Sequence, residues 1–327
     1  MDAPAFYTCL LAWYDAHARD LPWRQRPGKG KHRDPYRVWV SEIMLQQTRV
    51  AAVIEHYHRF LERFPTVKKL ASARESSVLA AWSGLGYYRR ARMMHAAAKV
   101  VMRELGGRLP TTSDGWRELP GIGRYTAAAI ASIAFQEAVA VVDGNVERVL
   151  QRFSGRSLPG EEVWDTAEQL LDPKRPGDFN QAMMELGATV CTPRAPACLM
   201  CPVLELCATR GELAGTTKIE KQKKREIHYA LHCRSNGRGE EVFLVQRPRD
   251  ASLMASMWEL PEISPTKNHA RPEFTVKHSI TVTDYTVRVW RTPPDEFHHG
   301  QWVPKERLLK IALTGLARKI LRKSEIV

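Results

Sequence analysis

Four cysteines crowd into the segment Cys191–Cys207 with the spacing C-x6-C-x2-C-x5-C. Thiolates confined to so short a loop repel one another, and no single disulfide satisfies the set. The arrangement points to one multiply charged metal centre. Zinc is the first rival. Structural zinc sites usually present two close C-x2-4-C pairs or Cys/His pairs, and here only Cys198 and Cys201 are close. The wide first gap suits a cubane. The ligand chemistry therefore favours one 4Fe–4S cluster on Cys191, Cys198, Cys201 and Cys207 over zinc, a disulfide pair or free thiols.

The chain has 327 residues, enough for two domains with their own cores. Its formal net charge of +13 favours polyanionic partners, nucleic acid first, with a merely basic enzyme as the plain alternative. Cys9 and Cys233 stand apart in apolar-leaning segments and read as buried thiols, a reduced-compartment usage. No stretch approaches the roughly 18 apolar residues of a membrane span. The N-terminal residues Met1–Phe6 lack a basic signal-peptide region. A cytoplasmic protein without membrane association is expected.

Residues 1–210 read as helical. Phe6, Leu10, Trp13, Tyr14 and His17 recur at helical spacing, and a long apolar periodicity runs from Val38 to Phe64, ending at Pro65. Further helices are expected over Ser76–Ser83, Arg89–Leu105, Tyr125–Phe135, Val146–Phe153 and Glu161–Leu171, separated by Gly- and Pro-rich loops. Residues 211–226 are polar, end in a basic run and read as a solvated linker, with nucleic-acid contact as the alternative. Beyond it, Ile227–Cys233, Glu241–Gln246 and Ser279–Trp290 alternate like strands, and a helix follows over Lys305–Leu321. Residues 227–327 are thus expected to form a small α+β domain.

Leu119-Pro-Gly-Ile-Gly-Arg-Tyr125 precedes one of these helices. Gly121 and Gly123 permit a tight turn with bare amides that can meet a phosphate at a helix N-terminus. A plain interhelical turn is the alternative. Asp143, before Gly144-Asn145 and a helical run, reads as an N-cap. The same position suits a carboxylate facing a cationic sugar, and the two readings are compatible. Glu42 lies in Val38-Trp-Val-Ser-Glu-Ile-Met-Leu-Gln-Gln-Thr48, where apolar residues almost surround the helix. A solvent-facing glutamate is the plain reading. A buried one has a raised pKa and can donate a proton near neutrality.

The cysteine spacing resembles the cluster loop of the endonuclease III (helix-hairpin-helix-GPD) superfamily of DNA glycosylases. The string from Trp39 to Thr48, with Leu21–Arg24, Gly84–Tyr88, Asp143–Asn145 and Gln181–Glu185, is similar to the MutY family of adenine DNA glycosylases. The resemblance covers most of residues 6–210. It implies that Glu42 is the acid on adenine N7, that Asp143 stabilises or traps the sugar cation, and that Asn145 orients these groups. It further implies that Tyr125, Glu185, Arg19, Trp23 and Arg24 line the adenine pocket. Gln47 and Tyr87 would wedge into the base stack, with Leu45 and Thr48 beside Gln47 on the DNA side. Relatives that also nick DNA carry a lysine where this chain has Tyr125. A phenol forms no Schiff base, so a monofunctional enzyme is implied.

Glu241–Pro248 and Ser256–Pro261 resemble the Nudix-like C-terminal domain of the same family, but no R-E-x-x-E-E helix follows Pro261. Recognition of the opposite base is implied, not hydrolysis. In the register starting at His278, Ile280-Thr281-Val282 stands where the family has the Phe-Ser-His reader of 8-oxoguanine, leaving Thr281 as the candidate contact; a shifted register on His278-Ser279, with the two residues in inverted order, is the alternative. The resemblance therefore implies a monomer that acts on duplex DNA containing A:8-oxoguanine or A:G mispairs. A thymine or uracil mismatch glycosylase of the same fold, and a non-catalytic mismatch-binding iron–sulfur protein, are the competing readings.

Overall fold

The structure is a computed structural model that describes residues 2–25, 33–213, 223–237, 239–251, 253–264, 271–280, 283–291 and 299–327. The chain forms two compact units, residues 1–71 with 96–217 and residues 72–95 with 218–327. A single cut near 210, expected from composition, misses this. The segment 72–95 joins the second unit because its polar side chains bond there, as described below.

The helices run α1 Ala3–His17, α2 Pro35–Leu45, α3 Val50–Arg63, α4 Val67–Ala71, α5 Glu75–Trp82, α6 Arg89–Glu104, α7 Ser113–Arg117, α8 Arg124–Phe135, α9 Gly144–Ser154, α10 Glu162–Leu170 and α11 Pro176–Thr189. Several starts are fixed by side-chain caps. Asp2, Asp34, Thr112 and Asp143 accept from first-turn amides of α1, α2, α7 and α9. The apolar run from Val38 to Phe64 is two helices, because the chain turns at Gln46–Arg49 with Gln47 in the left-handed region (φ 53°). Apolar periodicity continues through such a turn and cannot show it.

Helix α8 is the spine of the first unit. Thr126 through Ala134 are all buried, and five of α8's residues are alanine. Small side chains let α2, α7 and α11 pack on it from several sides. The approach of α11 is closest: a Cβ at Gly177 would stand 2.4 Å from Ser132 O and 2.8 Å from Ile133 Cα. At Gly187 it would stand 2.7 Å from Asn145 Cβ on α9. A separate layer of Phe6, Leu10, Phe153, Phe179 and Met183 joins α1, α9 and α11. Cys9 is exposed, on the face of α1 that this layer leaves to solvent, contrary to its buried reading.

The second unit holds β1 Lys223–Ala230, β2 Cys233–Asn236, β3 Gly239–Gln246, β4 Trp258–Glu259, β5 Phe274–Ile280, β6 Thr283–Trp290 and β7 Gln301–Pro304, then α12 Lys305–Leu308 and α13 Gly315–Lys323. One sheet has the order β1-β6-β5, with β1 parallel to β6. The other runs β2-β3-β4 with β7 on β3. The basic residues Lys223–Arg225 pair with Thr283–Tyr285, so the expected linker already contains strand. The expected strand Ser279–Trp290 is the end of β5 and the whole of β6, paired antiparallel. The expected helix over Lys305–Leu321 is interrupted, and Thr314 restarts it by accepting from Ala317 N. Cys233 is exposed as well.

The α8–α11 contact yields a stability test. Gly177→Ala must push two backbone segments apart, because the clashing atoms are backbone. An overpacking cost of about 1–3 kcal/mol is expected in urea unfolding. Gly144→Ala, where nothing lies within 4 Å of the added carbon, should unfold near the wild-type midpoint. Equal midpoints for both variants would mean that α8 and α11 do not touch at Gly177.

Candidate active site

Glu42 points inward from α2 and is 5% exposed, among Val38–Met44, all of which are buried. The plain solvent-face reading is therefore wrong for this residue. Its carboxylate accepts a 2.8 Å hydrogen bond from Tyr125 OH, at the first turn of α8. Burial raises the Glu42 pKa to about 7. The Tyr125 bond lowers it, the charge of Asp143 raises it, and Arg24 lowers it again. Burial likewise pushes the Tyr125 phenol well up, so it remains a donor. Tyr125 OH also lies 3.4 Å from Met184 Sδ, a contact no sequence pattern announced.

Asp143 caps α9. Its Oδ1 accepts from Asn145 N (2.9 Å) and Val146 N (2.8 Å), and its Oδ2 accepts from Asn145 Nδ2 (3.2 Å). The cap reading holds, and its charge is near enough to act on Glu42 and Tyr125. Asn145 is fixed in turn by Arg148, whose Nη2 donates to Asn145 Oδ1 (2.8 Å) and Gly187 O (2.7 Å).

Glu185 is 1% exposed and accepts from Arg19 Nε (2.6 Å), Arg19 Nη2 (2.7 Å), Arg19 N (3.2 Å) and Arg24 Nη2 (2.8 Å). Burial opposes its ionisation, but these bonds and the Arg24 charge win and hold its pKa at about 2. Both carboxylate oxygens are thus engaged with arginine. Within this unit Glu185 orients Arg19 and Arg24. Trp23 lies in the short turn Pro22–Arg24, buried edge-on to Tyr57 at 5.4 Å. The loop before α2 is tied by Arg33, which donates to Arg24 O (3.2 Å) and Asp178 Oδ1 (3.1 Å).

The turn after α2 leaves Gln47 exposed and Leu45 and Thr48 half-buried. In the hairpin before α8, Gly121 requires its positive φ of 76°. Gly123 is extended, with nothing within 4 Å of a would-be Cβ, so its backbone is bare at the N-terminus of α8. Tyr87 belongs to the second unit, 44% exposed with φ 48°. Thr281 lies outside the described residues.

Cys191, Cys198, Cys201 and Cys207 are half-buried and unpaired. Burial, then the charges of Cys191, Cys207 and Cys198, push the Cys201 thiol up to about 11 despite a backbone bond from Val203, so the four are mutual neighbours. Among the described residues no three His, Cys, Asp or Glu side chains converge as ligands of a single ion do. A cubane instead takes one thiolate at each of four separate corners. Two donors suit charged sulfur: Arg152 Nη1 lies 3.4 Å from Cys191 Sγ, and Arg210 N lies 3.5 Å from Cys207 Sγ. Arg152 also donates to Thr192 O (2.6 Å) and Pro193 O (2.9 Å). These residues fit a 4Fe–4S cluster. Arg148 and Arg152 were missed from sequence, where arginines four apart on an amphipathic helix look like a solvated face. The lone hint is that they follow Asn145 on the face that also carries Val149.

A family model described as HhH-GPD superfamily base excision DNA repair protein matches residues 40–173. The adenine DNA glycosylase of Mus musculus is 42% identical over 82% of this chain and 62% of its own length. That of Schizosaccharomyces pombe is 32% identical over 80% of this chain and 70% of its own length. The chain belongs to the adenine DNA glycosylase family. It spans less than two thirds of the mouse relative, 62%. The structure of a thermostable thymine-DNA glycosylase superposes with a TM-score of 0.58 at 30% identity, covering 64% of this chain and 96% of that one.

Linkage makes the burial of Glu42 measurable. Its folded pKa of about 7 exceeds the unperturbed 4.5. Between those values the folded state holds a proton that the unfolded chain has released. Stability therefore falls as pH rises through that window, by roughly 3 kcal/mol in all. Glu42→Gln removes the titration. The variant should match wild type at about pH 4.5 and exceed its unfolding free energy at about pH 8. Identical pH profiles would show that the carboxylate is not desolvated.

Proposed function

We propose that this chain is a monofunctional adenine DNA glycosylase that removes adenine mispaired with 8-oxoguanine or guanine in duplex DNA. The observation that carries this reading is Glu42, a buried carboxyl with a pKa of about 7, bonded to Tyr125 and within the field of Asp143. The glycosidic bond of a duplex is inaccessible, so the adenine must first leave the stack. Gln47 and Tyr87, both exposed on left-handed backbone, are the wedges. Arg19, Trp23 and Arg24 line the pocket, oriented by Glu185. Glu42 gives its proton to N7, and the C1′–N9 electron pair leaves with the base. Asp143, steadied by Asn145, faces the oxocarbenium sugar until water adds at C1′ and gives its proton to the Glu42 carboxylate, which restores the acid. Tyr125 supplies no amine, so the product strand stays intact.

Cys191, Cys198, Cys201 and Cys207 would hold one 4Fe–4S cluster, which when bound cross-links the loop behind α11. The second unit, with its two sheets and α13, serves as a Nudix-like reader of the opposite base, with Thr281 its candidate contact. The likeness to a thymine-DNA glycosylase favours a second reading, thymine removal from mismatches. Glu42 distinguishes them, because a pyrimidine has no N7 to protonate.

Single-turnover assays on duplexes with A:8-oxoguanine, A:G, T:G and U:G test this. Adenine should be released and thymine retained. The rate should fall as pH rises past about 7, where Glu42 loses its proton. Glu42→Gln should slow release at least ~100-fold while mismatch binding survives. Release of thymine alone, or an active Glu42→Gln enzyme, would reverse the assignment. Iron and sulfide near ~4 each per chain are expected, and stoichiometric zinc in anaerobically prepared protein would remove the cluster.

A further inference from the structure

The turn that carries Tyr87 joins α5 to α6, and its backbone is unusual. Gly84, Gly86 and Tyr87 have φ values of 111°, 72° and 48°. A tyrosine in the left-handed region, with 44% of its surface exposed, persists only where its surroundings over-determine it. Those surroundings are present. The Arg90 guanidinium stacks on Tyr87 (5.3 Å) and on Trp82 (5.6 Å). Trp82 Nε1 (3.1 Å) and Arg90 Nη2 (3.4 Å) both donate to Gly86 O.

The two ends of the turn converge on one acceptor. Ser83 Oγ donates to Leu313 O at 2.8 Å and Tyr88 OH donates to the same oxygen at 3.3 Å, and both residues are buried. The acceptor segment is itself rigid. Trp258 N donates to Ala312 O (2.8 Å) and Thr314 N donates to Trp258 O (2.9 Å), which ties residues 312–314 to β4. Arg92, one helical turn further on, donates to Ala255 O and to Glu75 Oε1.

We infer that the C-terminal sheet unit clamps the wedge: Ser83 and Tyr88, through the Leu313 carbonyl, are positioning residues that hold Tyr87 outward for insertion beside the extruded base. The inference rests on the wedge role proposed above for Tyr87. It adds that the unit reading the opposite base also sets the wedge. Neither Ser83 nor Tyr88 needs to touch DNA for this.

The experiment compares the full-length wild type, Ser83→Ala/Tyr88→Phe, Tyr87→Ala and the triple variant. 2-Aminopurine fluorescence at the target position reports base extrusion, and amide hydrogen exchange reports the turn. The clamp variant should lose about 5- to 10-fold in extrusion, the worth of a hydrogen bond to a buried acceptor. Its affinity for an abasic-site duplex, which needs no extrusion, should be unchanged. Exchange should quicken at Gly84–Tyr88 and stay slow in α8. In the Tyr87→Ala background the clamp substitutions should cost nothing more. Full additivity, or unchanged extrusion, overturns the inference. Should the double variant unfold, Tyr88→Phe alone must shift both readouts in the same direction. A wild type that releases no adenine counts against the proposed activity. Exchange then decides the clamp, and unchanged protection at Gly84–Tyr88 refutes it.

Discussion

The close approach of α11 to α8 and α9 is the constraint on which the site depends. Gly177 and Gly187 let α11 lie directly on the backbone of α8 and on Asn145 of α9. Three helices meeting so tightly bring their functional side chains within reach. Tyr125 comes from the first turn of α8, Asp143 and Asn145 from the start of α9, and Met184 and Glu185 from the middle of α11. Helix α2, packed on the alanine face of α8, adds Glu42. Any side chain larger than hydrogen at Gly177 would meet backbone atoms that cannot rotate away.

Two buried glutamates then have their pKa values shifted in opposite directions in one helical unit. Glu42 has a single neutral donor and a negative neighbour, and its pKa rises to about 7. Glu185 is at least as buried, yet two arginines and a backbone amide hold it at about 2. Burial alone does not decide the outcome; the partners do. The contrast assigns separate work to each. Glu185 is a fixed charge that orders Arg19 and Arg24. Of these two, Glu42 is the carboxyl able to exchange a proton near neutrality.

Much of this was legible in the chain. The ring of apolar neighbours around Glu42 left a buried carboxyl as one of two readings, and the Asp143-Gly-Asn145 pattern announced a helix cap. Both follow from local periodicity and capping chemistry, which act within a few residues. What failed was long-range or punctuated by turns. The break at Gln47 interrupts a continuous apolar stripe. The assignment of residues 72–95 to the second unit depends on hydrogen bonds spanning more than two hundred positions to Leu313. Cys9 and Cys233 looked buried because their neighbours are apolar, yet each stands on the exposed side of its element. Arg152 drew no reading from the sequence and is 5% accessible, because its partners are carbonyls in a loop some forty residues ahead.

Helix α9 shows how one short element can serve two tasks. Its N-terminus holds Asp143 through its own first-turn amides, which fix the carboxylate. Its body turns Arg148 and Arg152 toward the start of the cysteine loop: Arg148 Nε donates to Cys191 O (2.9 Å), and Arg152 lies against Cys191 Sγ and the two carbonyls that follow. Arg148 also holds Asn145, and Asn145 holds Asp143. The cap, the orienting amide and the loop are therefore one connected set of hydrogen bonds along about two and a half turns of helix. Glu42 stands outside that set, fixed by α2 and by Tyr125. Asp143 and Glu42 are thus fixed by separate sets of hydrogen bonds.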